Sequence, residues 1–60
     1  MLLGYEKFRI DNHDITIEIN SCIPDDYIKF DGQKGYDLFR KDENINNDTH
    51  HYYVAKRQSK

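Results

Sequence analysis

Short stretches of this chain alternate between apolar and polar residues, which is the pattern of β-strands with one buried face. Within residues 2–10, Phe8 and Ile10 point to one side and the basic residues beside them point to the other. The apolar face continues beyond residues 11–14, at Ile15, Ile17 and Ile19. Because residues 11–14 are short polar types that accept turn conformations, the pattern predicts a β-hairpin.

Matching the apolar residues across this hairpin also brings opposite charges together. If residues 11–14 form the loop, Phe8 faces Ile17 and Lys7 faces Glu18. A second hairpin is predicted across residues 31–35, where the same matching of apolar residues predicts two charge pairs. These are Lys29 with Asp37 and Asp26 with Arg40.

The segment before the second loop supports two interpretations. Pro24, with two acids after it and Gly32 further on, fits the start and stop of a short helix. The alternation of residues 27–30 fits a strand, which we favour. The remaining elements are then a strand over 36–41, a polar loop over 42–49 and a strand over 50–57.

Five short strands in 60 residues predict an all-β fold, either a small antiparallel meander or a partly open barrel of SH3-like size. The alternative is an α+β fold with one short helix near residues 24–31. Because no repeat or linker divides the chain, we expect a single domain over residues 1–57. Residues 58–60 are expected to be a frayed basic end.

Composition narrows the class of protein. Eight aromatic residues, seven isoleucines and a net charge of -2 speak against disorder. The single cysteine, Cys22, excludes an intramolecular disulfide. Residues 1–6 lack the pattern of a signal peptide, and no run of 18 apolar residues occurs. We therefore expect a cytoplasmic protein that does not enter a membrane.

The charges are spread unevenly along the chain. Residues 11–48 carry ten acidic and four basic side chains, whereas residues 49–60 carry three basic and no acidic ones. This distribution is neither the one-signed positive field of a dedicated DNA-binding domain nor the strong negative field of a nucleic-acid mimic.

Two stretches of the sequence resemble metal-binding patterns, but neither fits one in full. Oxygen-bearing residues alternate over 42–48 as in a calcium loop, but Asn47 stands where that loop needs Gly and Tyr53 where it needs Glu. His50 and His51 are adjacent, so in a strand they point to opposite faces. We expect no metal site, no cofactor and no catalytic residue.

Aromatic and basic residues off the apolar face are the candidates for binding. Tyrosine offers a broad apolar ring and a hydroxyl that tolerates water, and it is enriched at protein interfaces. Tyr5, Tyr27 and Phe39 are expected opposite the core, with basic residues beside them. The predicted binding residues are Tyr5, Lys7, Arg9, Tyr27, Lys29, Phe39, Tyr53, Lys56 and Arg57.

Together these features favour a small non-enzymatic protein that binds and modulates or inhibits a host or cellular protein. A homo-oligomer is a second form of partnership, because so thin a core gains from added burial. Chains this small, with this Asn-, Ile-, Lys- and Tyr-rich composition, are typical of phages and mobile elements.

Two alternatives remain open. One is a nucleic-acid-binding β-barrel with a basic and aromatic face. Its cations would be Lys7, Arg9, Lys29, Lys56 and Arg57. The other is a small enzyme or toxin, which requires one of the three histidines to meet an acid in space.

Overall fold

The computed structural model describes residues 1–59 and holds five strands in one sheet. The strands are β1 (Leu2–Ile10), β2 (His13–Asn20), β3 (Ile28–Gln33), β4 (Tyr36–Ile45) and β5 (Asp48–Arg57). Their order across the sheet is β1-β2-β5-β4-β3. The predicted all-β class is confirmed, and residues 24–31 form no helix. Lys60, in the expected frayed end, lies outside the described residues.

The sheet is mixed rather than wholly antiparallel. Every neighbouring pair is antiparallel except β2 and β5, which run parallel and pair only at Glu18 with Val54 and Ile19 with Ala55. The fold therefore consists of a hairpin, β1–β2, and a three-stranded meander, β3–β4–β5, joined by one short parallel ladder. No helix within residues 1–59 is long and apolar enough to cross a membrane.

All three hairpins turn through two residues, and both residues of each turn have positive φ. The turns are Asp11–Asn12, Lys34–Gly35 and Asn46–Asn47. Such turns have the twist that suits paired strands, and Asn, Asp and Gly adopt their left-handed conformations most readily. Lys34, with a φ of 54°, is the one turn residue outside that group.

Because the turns are short, the observed strand registers differ from the predicted ones. The first turn is two residues rather than four, so Phe8 faces Ile15 and Lys7 faces Thr16, in place of Ile17 and Glu18. A displacement of two residues keeps every side chain on its expected face, because the period of a strand is two. The predicted apolar face is therefore confirmed, although its cross-strand partners differ from the predicted ones.

The second and third hairpins depart further from the sequence pattern. The Lys34–Gly35 turn shifts the pairing of β3 by three residues and a β-bulge at Phe30 reverses one of them, so Ile28 faces Arg40 rather than Leu38. The predicted loop over 42–49 is wrong. Residues 42–45 continue β4, and β5 begins at Asp48.

Side chains from both units form the core on one face of the curled sheet. Phe8 and Ile17 from the hairpin and Leu38 and Ala55 from the meander are each at most 1% exposed. Ile10 and Ile19 complete the cluster, and Ile15, Tyr36 and Tyr53 are partly buried against it. Val54 is buried on the opposite face, whose other residues are more exposed.

One side chain links the two outer strands of the sheet. The Gln33 amide nitrogen donates to the Arg9 carbonyl at 2.8 Å, and the Gln33 amide oxygen accepts from the Arg9 N–H at 3.3 Å. The Gln33 amide thus reproduces the paired bonds of a backbone ladder between β3 and β1. Asp31 accepts a further bond from Gln33 at 2.9 Å, which, with the Gly32 N–H, lowers the pKa of its carboxyl.

Replacing Leu38 with Ala tests the core. We expect the free energy of unfolding to fall by about 2–5 kcal/mol, because a fully buried leucine leaves a cavity. Urea denaturation of the variant measures this loss. Ile28→Ala is the control, since Ile28 is 74% exposed and its loss should change stability by no more than about 0.5 kcal/mol. Equal losses in the two variants would contradict the assignment of the core.

Replacing Gln33 with Ala tests the link between the outer strands. The Arg9 amide should exchange with solvent faster, because its only acceptor among the described side chains is the Gln33 oxygen. Amide exchange followed by NMR gives this rate. Gln58→Ala removes a comparable surface amide, bonded to Asp37, and should leave Arg9 unchanged. An unchanged Arg9 rate in Gln33→Ala would show that the link does not persist in solution.

Candidate binding surfaces

The structure divides the predicted binding residues between separate surfaces. Tyr5, Lys7 and Arg9 lie on the outer face of β1, opposite the core, and Tyr5 is 65% exposed. Arg9 is paired with Asp14 at 3.2 Å. Strands β2 and β5 stand between this group and Phe39 on β4. The expected continuous aromatic face of Tyr5, Tyr27 and Phe39 is therefore not assembled.

Four other predicted residues do converge. Lys29, Phe39, Lys56 and Arg57 line one depression of about 440 Å³ on the outer face and at the end of the sheet. Tyr27 precedes β3, is half-buried and donates its N–H to the Pro24 carbonyl. Tyr53 lies on the core face, where part of its ring packs against the core.

Beyond the buried cluster, the core face of the sheet is not covered by other strands. We call this region the aromatic shelf, and its residues are Ile28, Phe30, Arg40 and Tyr53. The rings of Phe30 and Tyr53 are 5.9 Å apart. The Arg40 guanidinium lies 5.6 Å from the centre of the Phe30 ring. Ile28 is 74% and Phe30 36% exposed. Strands β1 and β2 do not pair beside this part of the meander, so the shelf faces solvent.

An ion pair and a hydrogen bond connect Arg40 to His51 on the neighbouring strand through Asp42. The Arg40 Nε atom lies 3.1 Å from Asp42, and the same carboxylate oxygen lies 2.6 Å from the His51 Nδ1 atom. The His51 ring in turn lies 6.4 Å from that of Tyr53. Asp42 and His51 are direct cross-strand partners on β4 and β5. The side chains of the shelf are thus connected by contacts between β4 and β5.

A notch of about 260 Å³ opens beside the shelf where β3 begins. It is lined by the shelf residues Ile28, Phe30 and Arg40 and by Asp26, Lys41 and Asp42. Lys41 Nζ lies 3.1 Å from Asp26, so the segment between β2 and β3 is tied to β4 at this point. The predicted partner of Asp26 was Arg40, one residue away. The notch forms a concave edge along one side of the shelf.

Sequence reasoning missed Ile28, Phe30, Arg40 and Asp42 as site residues. The pattern that would have placed Asp42 is the Asn46–Asn47 pair, because two asparagines between charged stretches fit a two-residue turn. That turn puts Asp42 opposite His51 and Glu43 opposite His50. No comparable sequence pattern predicts the bulge that places Phe30 on the shelf.

The positions of the histidines are relevant to the alternative hypothesis that the protein is a small enzyme or toxin. His51 meets Asp42, which satisfies the requirement that a histidine and an acid converge. A catalytic pair of this kind also needs a nucleophile or a bound substrate within reach. Within residues 1–59, no hydroxyl or thiol is hydrogen-bonded to His51. No three potential metal-binding side chains of the described residues gather, and Cys22 is exposed.

No protein-family model, curated protein or solved structure matches this chain.

Replacing Asp26 with Asn tests the wall of the notch. The hydrogen bond and charge of Asp26 raise the pKa of Lys41, so this variant should lower that pKa toward the ordinary 10.5. A raised lysine pKa means that the pair stabilises the fold below the ordinary pKa and that this support is lost as pH rises through the folded pKa. NMR titration of the Lys41 side chain measures the change. Asp25→Asn, beside it in sequence, should have no effect, and equal shifts in both variants would contradict the pairing.

Proposed function

We propose that this chain is a non-enzymatic interaction protein that binds another protein through the aromatic shelf. The observation that carries the proposal is the exposure of a contiguous aliphatic, aromatic and guanidinium surface on the extension of the core face. Phe30, Tyr53 and Arg40 contact one another there. Large aromatic residues and arginine are the types that supply most of the binding energy at protein interfaces.

The chemistry of the shelf favours a protein partner over other ligands. Arg40 is already paired with Asp42, and Lys41 with Asp26, so the cations beside the shelf are neutralised. A polyanion such as nucleic acid would meet little free positive charge there. An apolar or aromatic side chain entering the notch would instead cover Ile28 and Phe30 and stack against an oriented guanidinium.

The contacts of the Arg40 side chain support the same function. Arg40 is held by Asp42 and by the Phe30 ring, so its side chain is partly ordered before a partner arrives. Ordering a long side chain on binding costs about 0.5–1.5 kcal/mol, and this cost is reduced when the side chain is already fixed. Modulation or inhibition of the partner then follows from occupying its surface.

The test is affinity capture from nuclease-treated lysate of the cells that produce the chain, followed by binding measurements with the purified partner. The shelf variant Ile28→Ser with Phe30→Ser should weaken binding about tenfold or more, because interface hot spots lose at least this much on truncation. The control is Tyr5→Ser, which removes an aromatic residue that is more exposed than Phe30 and lies on the opposite face. It should bind as the unaltered chain does.

Circular dichroism of the shelf variant must show an intact fold, which the exposure of Ile28 predicts. Arg40→Gln serves as a second shelf variant in which the strand residues are unchanged, and it too should weaken binding. If the Tyr5 variant loses the partner and the two shelf variants retain it, the binding surface is β1 and the proposal is wrong. Turnover of a substrate by the purified chain that depends on His51 would equally overturn it.

A further inference from the structure

The end of the sheet that holds the Lys34–Gly35 turn and the last residues of β5 carries a cluster of cations, which we call the basic end. Its cations are Lys29, Lys34, Lys56 and Arg57. They line two adjoining depressions of about 440 and 450 Å³ that share Arg57, Gln58 and Ser59. None of the residues that line these depressions belongs to the shelf or the notch, so this surface is independent of the function proposed above.

Among residues 1–59, cations outnumber carboxylates in these two depressions, and Glu6 lines a neighbouring depression together with Arg57 and Tyr36. Asp37 is the only carboxylate lining the two depressions among the described residues, and it already accepts from Gln58 at 2.9 Å and lies 3.5 Å from Lys29. Lys34 Nζ donates to the neutral carbonyl of Lys7. Within residues 1–59, no carboxylate lies within 4.0 Å of Lys56 or Arg57.

The antiparallel pairing of β4 and β5 separates this charge from one group of acids. The Asn46–Asn47 turn lies at the opposite end of these two strands, and the carboxylates near it are Asp42, Glu43 and Asp48. The Asp11–Asn12 turn is nearer, because Gln33 and Lys34 bond to Arg9 and Lys7 of β1, and there Arg9 pairs with Asp14. Among residues 1–59 the two depressions are lined by four cations and one carboxylate, so a polyanion that enters them meets an attractive local potential.

Aromatic rings accompany the cations. Phe39 lines the first depression and Tyr36 the second, and both are half-buried, so each has an accessible part held in a fixed position. Cations that follow a phosphate backbone, together with rings on which bases stack, are the combination that binds single strands. Gln58 and Ser59 add hydrogen-bonding groups between the two depressions.

From this arrangement we propose that the basic end binds single-stranded nucleic acid, with Lys34, Lys56 and Arg57 contacting phosphates and Phe39 and Tyr36 contacting bases. Exposed single-strand bases can enter the depressions, whereas the bases of a duplex are already stacked. Arg57 lies at the centre of the site because it lines both depressions.

The test is fluorescence anisotropy with a labelled oligothymidylate of about twelve nucleotides, within the usual site size of one small domain. Affinity should fall with salt with a log–log slope of about -2, as three phosphate contacts on a single strand require. Lys56→Gln and Arg57→Gln should each weaken binding and reduce the magnitude of the slope by about 0.7. Phe39→Leu, which keeps an apolar side chain, should weaken binding and leave the slope unchanged.

Two control variants separate the site from a general charge effect. Lys41→Gln removes the same charge from an ion-paired position outside the basic end and should bind as the unaltered chain does. Asp37→Asn removes the one carboxylate that residues 1–59 contribute to the site and should increase affinity. Equal loss in Lys41→Gln and Lys56→Gln would show that only net charge matters, and the proposal would fail.

Competing ligands decide the identity of the polyanion. If inorganic polyphosphate or anionic phospholipid vesicles bind as tightly as the oligonucleotide, and Phe39→Leu has no effect, the bases are not recognised and the nucleic-acid assignment is wrong. Equal or tighter binding of a duplex of the same length would also overturn it. The shelf variant Ile28→Ser with Phe30→Ser should retain oligonucleotide binding, so failure of either proposal leaves the other testable.

Discussion

The whole molecule depends on the contact between its hairpin and its meander. These two units share only a short parallel ladder, at Glu18 with Val54 and Ile19 with Ala55. Two pairs of residues contribute few backbone hydrogen bonds, and isolated hairpins are marginal in water. The apolar contact of Phe8 and Ile17 with Leu38 and Ala55 must therefore supply most of the free energy that holds the units together.

This division also determines where surfaces are left open. The hairpin covers the core face at one end of the meander, where Leu38 and Ala55 are buried, and leaves it uncovered where Phe30 and Tyr53 lie. The same apolar face thus acts as core over part of its length and as exposed surface over the rest. A chain of 60 residues cannot cover both faces of five strands, and the uncovered area is where binding can occur.

Alternation along the strands predicted the all-β class and the apolar face correctly, because both depend on local side-chain period. The registers could not be predicted in the same way. The charge match of Lys7 with Glu18 fitted the wrong register as well as the apolar pairs did, since cross-strand pairs contribute too little energy to fix a register alone. The turns decided it, through the two-residue Asp11–Asn12 turn. The predicted binding residues were divided for a related reason, because sheet order determines which strands are neighbours and no local pattern reports it.

The side chain of Gln33 has a consequence beyond joining two strands. An outer strand with free N–H and C=O groups can pair with a strand of another molecule and begin an aggregate. Gln33 occupies those groups at Arg9, and Lys34 occupies the carbonyl of Lys7. On β3 the bulge at Phe30 breaks the regular spacing that an incoming strand needs. A very small sheet thereby covers part of its two edges against pairing with another molecule, while an apolar surface on its face stays exposed.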